Sequence, residues 1–312
     1  MPLGRQLSAR FLRSGHILGA ASVEVRAGDL RLVYSGDLGR YGVPVMPDPD
    51  PVEEADVLLV ESTYGNRLHP RDDPARSLVA AVQRAVEQKG WLLIPAFAVG
   101  RTQELLYTLR QLEEAGRIPS LATYLDSPMA IEATAIYAQH PEEEDPDVAR
   151  TVSEGKRPFA SRRFHLSRSV HESKALNDLE GPVIVISGSG MATGGRVLHH
   201  LRHRLPDPRT TILFVGYQAA GTRGRLLKDG AREIRIFGEA IPVGATAAVS
   251  DAYSAHADQG EILRWLRGFR RAPRMTYIVH GEPEAAGALR QKVVQDLGWP
   301  ATVAGPGSTV PV

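Results

Sequence analysis

The sequence predicts an α/β protein: a doubly wound, parallel-sheet block inserted into a β-rich frame whose two parts lie at the ends of the chain. Two patterns carry this reading. Between about residues 67 and 245, short apolar runs alternate with amphipathic stretches of helical period. On either side, short alternating or apolar runs are separated by glycine-containing turns. The divisions expected from these patterns are 1–66, 67–247 and 248–312.

Taken in order, ARFLRS, ASVEVRAG and LRLVYSGD read as a hairpin or meander, and EADVLLVEST reads as a buried strand. DDPARSLVAAVQRAVEQKG follows as an amphipathic helix, with an acidic, proline-marked start at Asp72, Asp73 and Pro74 and a glycine stop. WLLIPAF, LATYLDS, PVIVISGSG and TILFVGYQ are strands. GRTQELLYTLRQLEEAG, PMAIEATAIYAQH and GGRVLHHLRHRL are the helices between them. PEEEDPD, at 141–147, reads as a solvated acidic loop. From IRIFGEAIPVGATAAVSDAY the chain returns to β character, then closes with helix EILRWLRGF, strand MTYIVHGE and helix EAAGALRQKVVQDLG.

Composition narrows the class. Hydrophobic content of 43% and charged content of 23% are those of a soluble globular protein. No run approaches the ~18 apolar residues of a membrane span, and no stretch reads as a signal peptide, so no membrane partner is expected. The sequence holds 0 cysteines, which fits a cytoplasmic protein and restricts any metal to His and carboxylate ligands. Net charge is only +1, which gives no global signature of nucleic-acid binding. All of the 37 Lys+Arg residues except Lys89, Lys156, Lys174, Lys228 and Lys292 are arginine, a side chain whose planar fork suits phosphate.

Five polar residues sit where packing alone does not explain them. His16 lies in SGHILGAA, a glycine-flanked corner, and Asp37 in YSGDLGR at a strand end. Glu61 ends the apolar run VLLVE, where a carboxylate must be solvated, hydrogen-bonded or paired. His280 ends MTYIVHGE, and His256 stands among small residues in SAHAD before a helix. Any one of them could be a turn residue. Together, with no cysteine, they point to a metal-dependent hydrolytic site. Imidazoles and a bridging carboxylate can balance two divalent ions, and a histidine oriented by a carboxylate suits proton transfer.

GHILGAA, SGDLGR, LLVESTYG, SAHAD and VHGE, in this order, resemble the later motifs of the metallo-β-lactamase fold RNA-processing nucleases of the β-CASP group. The resemblance continues through PAFAVGRTQELL, DSPMA, SGSGMATGGR and VGYQAAGTRGR, so it covers essentially the whole chain. It implies a partial metallo-β-lactamase αββα fold carrying an inserted β-CASP domain, with single-stranded RNA as the substrate. It assigns His16, Asp37 and His280 as zinc ligands, Asp37 bridging two ions, and Glu61 with His256 as the pair that handles the phosphate and protonates the leaving group. A homodimer is compatible with this assignment.

SGSGMATGGR could hold a phosphate through Ser187, Ser189 and Gly190, although it reads equally as a plain βα turn. Arg101 and Arg225 are further candidate phosphate contacts. His199 and His203 have the spacing of a metal pair, but Leu198, Leu201 and Leu205 mark the buried side of that helix and make them a solvated face.

The resemblance also implies a His-x-His-x-Asp-His string that supplies two ligands to each zinc. This sequence contains none, its first histidine being His16. The metallo-β-lactamase part is therefore expected to be incomplete at its N-terminal side and to leave apolar sheet surface exposed. Zinc is expected to bind weakly or not at all, and RNA hydrolysis to be absent at any useful rate. The competing reading is a non-catalytic RNA-binding or scaffold subunit. Retention of all five site residues weighs against it.

Overall fold

A computed structural model describes residues 1–309 other than 3, 5, 71, 72, 74 and 306. The chain divides into two compact units, one of residues 1–69 and 255–312 and the other of residues 70–254.

In the first unit β1 (Leu7–Arg13), β2 (Ala21–Ala27) and β3 (Leu30–Tyr34) form an antiparallel meander, and β4 (Val57–Glu61) joins β3 in parallel. The second unit follows with α1 (Ala75–Glu87), β5 (Trp91–Pro95), α2 (Arg101–Glu114), β6 (Ala122–Leu125), α3 (Pro128–Gln139), α4 (Pro146–Ser153), β7 (Phe164–Leu166) and α5 (Val170–Ala175). It continues with β8 (Val183–Ser187), α6 (Val197–Arg204), β9 (Thr211–Val215), α7 (Arg223–Lys228), the hairpin β10 (Glu233–Ile236) and β11 (Glu239–Pro242), and β12 (Thr246–Ser250). The first unit resumes with α8 (Gln259–Leu266), β13 (Met275–Val279), α9 (Pro283–Leu297) and β14 (Ala301–Val303).

The sheet of the second unit has the order β12-β9-β5-β8-β6-β7 and is parallel throughout. Its central strands WLLIP, VIVIS and TILFV are buried along their whole length, as sheets covered on both faces require. α1 buries Ala75, Leu78, Ala81, Val82 and Ala85, a stripe of helical period. Of the acidic, proline-marked start expected for it, Asp73 accepts the Ala75 N–H at 3.0 Å, while Asp72 and Pro74 lie outside the described residues. α3 opens on the Ser127 cap with Pro128 in its first turn.

The segment PEEEDPD is exposed at Glu142, Glu143, Pro146 and Asp147, as expected, but it is not a plain loop. Pro141–Glu143 form a 3-10 turn, α4 starts at Pro146, and Glu144 is buried. Burial, and after it the charge of Glu142, pushes the Glu144 carboxyl up to about 8. The short elements β7, α5, α7 and β14 carry too few residues for a periodic signal.

The sheet of the first unit has the order β1-β2-β3-β4-β13-β14. One face packs Leu12, Val33, Leu58, Val60 and Ile278 against Ile262, Leu263 and Leu266 of α8 and Leu289 and Val293 of α9. On the other face Phe11, Val23 and Tyr34 stand side by side across three strands, with Phe11 60% and Tyr34 36% exposed. β1, β3, β4 and β13 run in the same direction, so their C-terminal ends open on one edge. That edge carries the site.

Candidate active site

Each predicted side chain of the first unit leaves from this edge. His16 follows β1, Asp37 follows β3, Glu61 is the last residue of β4, and His280 follows β13 directly. Val279 and Glu61 are in register, which brings the last two to the same level. His256 reaches the edge through a single antiparallel bridge to Gly39. Close approach explains Gly39 itself: a Cβ there would run into the backbone of Gly15 and His16.

Asp37 stands between two imidazoles. Its Oδ1 lies 3.3 Å from Nδ1 of His280, and its Oδ2 lies 4.0 Å from Nε2 of His16. The His256 ring is 4.3 Å from that of His16 and 6.1 Å from that of His280, centre to centre. Nδ1 of His256 is 3.1 Å from Oε1 of Glu61. His280 adopts a φ of 52°, left-handed backbone that a residue with a Cβ seldom occupies. Thr63 Oγ1 lies 3.2 Å from its Nδ1, and Ser62 donates its N–H to the His280 carbonyl.

The electrostatics suit the geometry. Burial, and after it the nearby His256, lowers the His16 pKa to about 4, although Asp37, Glu61 and the Ala255 backbone pull the other way. His16 is therefore neutral at pH 7, the form that ligates a metal. Burial alone would push the Glu61 carboxyl up. Hydrogen bonds from His256, Thr63 and the Leu38 N–H more than offset it and hold the group below its ordinary range. With Glu61 ionised, the shared proton sits on Nδ1 of His256.

Two sets of three donor side chains have their ligand atoms within 4.8 Å of one another here: His16, Asp37 and His256, and Asp37, Glu61 and His280. The donors fit zinc in kind, being imidazole and carboxylate with a neutral His16. They fall short in number for two ions. With His256 and Glu61 engaged with each other, each side of Asp37 offers one imidazole and one carboxylate oxygen, half of a tetrahedral set.

The residues assigned to phosphate lie in the second unit, where several are engaged internally. Ser187 Oγ is buried and donates to the Asp126 carbonyl. Ser189 Oγ accepts from the N–H groups of Thr193 and Gly194, which fills the loop from within. Gly190 packs its backbone against the Phe97 ring. Arg101 is buried against Glu104, and Arg225 pairs with Asp229 at 2.8 Å. His199 and His203 are exposed, as expected of a solvated face.

Two histidines passed over in the sequence are prominent. Nε2 of His200 sits 2.6 Å from Oδ2 of Asp126, both buried, with Ser173 and Arg196 completing the carboxylate's partners. His69 lies behind His256 in the first unit. His200 lies on the buried stripe of α6 with Val197 and Leu201, whereas His69 lies on a segment without periodic pattern.

An inserted parallel-sheet unit and a carboxylate between histidines at strand ends are consistent with the metallo-β-lactamase β-CASP fold. Residues 102–227 match the Beta-Casp domain, and residues 240–304 match the Zn-dependent metallo-hydrolase RNA specificity domain. The chain is 40% identical to a ribonuclease of Thermus thermophilus over 98% of its own length and 70% of that protein's. It is 32% identical to an RNase J-like protein of Methanocaldococcus jannaschii over 97% of its own length and 70% of the relative's. It is 34% identical to the transcription termination factor FttA of Pyrococcus abyssi, covering 91% of this chain and 46% of that one. The chain belongs to the β-CASP family of metallo-β-lactamase fold RNA nucleases. Among the described residues no helix is long and apolar enough to cross a membrane.

Proposed function

We propose that the edge of the first sheet is a site for hydrolysing phosphodiester bonds of single-stranded RNA. The observation that carries this is the Glu61–His256 pair standing beside Asp37, with His16 and His280 on either side of that carboxylate. His16, Asp37 and His280 would hold zinc, which when bound supplies Lewis acidity toward a phosphoryl oxygen and makes water a better nucleophile at neutral pH. Glu61 fixes the His256 tautomer and stabilises the doubly protonated ring. Nε2 of His256 then delivers the proton that the departing ribose oxygen needs.

Because each side of Asp37 has only two donors, the 312-residue chain holds zinc weakly and turns over slowly. The test is cleavage of end-labelled single-stranded RNA during a zinc titration. Slow cleavage is expected at excess zinc, abolished by chelator, by Asp37→Asn and by His256→Ala. Cleavage that persists in chelator, or in either variant, would contradict the assignment. RNA binding with no cleavage at any zinc concentration would instead favour a non-catalytic RNA-binding subunit.

A further inference from the structure

His69, Asp258 and Glu261 have ligand atoms within 4.8 Å of one another, but each is already engaged. Asp258 caps α8 in a capping box with Glu261, through bonds of 2.8 and 2.9 Å. Oδ2 of Asp258 also accepts from the His69 N–H at 2.7 Å, and Oε1 of Glu261 accepts from the Tyr41 N–H at 3.1 Å. The His69 side chain, only 6% exposed, points its Nε2 at the carbonyl oxygen of His256, 2.9 Å away. A carbonyl only accepts, so Nε2 of His69 carries the proton. The Tyr64 ring packs edge-on against the imidazole at 5.2 Å and holds its plane.

This bond closes a circuit. The peptide unit joining His256 to Ala257 is held at both ends: its N–H donates to the Leu38 carbonyl at 2.8 Å, and its oxygen receives His69. Leu38 passes its own N–H to Oε1 of Glu61 at 2.7 Å, the same oxygen that takes Nδ1 of His256. The backbone that aims the His256 ring and the carboxylate that receives its proton are thus fixed in one frame. His69 supplies the side-chain bond to that peptide oxygen.

We infer that His69 is a positioning residue for His256: its Nε2–H bond to the His256 carbonyl sets the direction of the ring and keeps Nδ1 on Glu61. The inference rests on the proton-transfer role proposed for His256. A ring whose main chain can rotate loses alignment with both its carboxylate and its substrate, and misplacement of that order is costly in catalysis.

The test is nitrogen-15 NMR of histidine-labelled chain, with the His256 signals identified by their loss in His256→Asn. This readout does not depend on whether RNA is cleaved. In the wild type His256 is expected as a single Nδ1–H tautomer with a slowly exchanging proton. His69→Phe keeps the ring volume and removes the donor; it is expected to mix the tautomers and speed exchange of that proton at least tenfold. His69→Gln, whose amide reaches the same oxygen, should restore the wild-type signals. If His69→Phe does not fold, His69→Asn, too short to reach, provides the same contrast with His69→Gln. A role in stability alone would lower the melting temperature and leave the His256 signals unchanged. Unchanged signals in a folded variant without the donor would overturn the inference.

Discussion

Replacing Glu61 by glutamine removes one charge and little volume. Oε1 accepts from the Leu38 N–H at 2.7 Å and from Nδ1 of His256 at 3.1 Å, and Oε2 accepts from the Thr63 N–H at 3.2 Å. Hydrogen bonds to a charged group contribute about 1.5–3 kcal/mol, and neutral ones about 1 kcal/mol. With its oxygen at the Oε1 position, the amide keeps two bonds and loses about 1 kcal/mol of charge assistance on each. Its NH2 then faces the Thr63 N–H, donor against donor, for about 1 kcal/mol more. The expected loss is about 3 kcal/mol, roughly a 1–3 M shift of a urea midpoint at pH 7.5 for the unit that holds the residue.

The pH dependence has a definite sign. The Glu61 carboxyl is held below its ordinary value in the fold. Its contribution is therefore complete above the unfolded value of about 4.3 and is lost as pH falls through the folded value. Urea midpoints of wild type and Glu61→Gln should differ fully at pH 6–8 and converge in acid. A shift equivalent to less than ~0.5 kcal/mol at pH 7.5, or a gap that does not narrow in acid, would refute the reasoning.

Glu144 should behave in the opposite way. Its carboxyl is raised to about 8, so its cost grows as pH rises from the unfolded value toward 8, and Glu144→Gln should stabilise by on the order of 2–3 kcal/mol at pH 7, with the gain vanishing near pH 4. Thermal melts across pH check this, and a gain independent of pH would contradict it. Gly39→Ala forces a Cβ into the backbone beside His16, so the variant should lose more than ~3 kcal/mol or fail to fold, as read by circular dichroism. A melting curve like that of wild type would contradict the packing account.

The parts of the fold read most directly were those with long periodic signals. WLLIP, VIVIS and TILFV could only be interior strands, and their alternation with helices dictated a parallel sheet. His16, Asp37, Glu61 and His280 stood out because a polar side chain at the end of an apolar strand needs a reason. What stayed hidden depends on distant contacts. Glu144 looks like one more member of an acidic run, yet between the 3-10 turn and α4 it is buried. His69 lies on a segment without periodic pattern, and the partners of His69 and of His200 are remote in sequence. Ser187 and Arg101 have the chemistry of phosphate contacts, yet the fold turns the one to a carbonyl and the other to a carboxylate.

The most direct measurement is a zinc titration by calorimetry, with X-ray absorption on the loaded chain, for wild type and Asp37→Asn. Wild type should bind zinc weakly, with dissociation constants above micromolar, through nitrogen and oxygen donors at about 2.0–2.1 Å, and Asp37→Asn should abolish the binding. Equal binding by Asp37→Asn, or nanomolar binding by wild type, would contradict a shared carboxylate with one imidazole on either side.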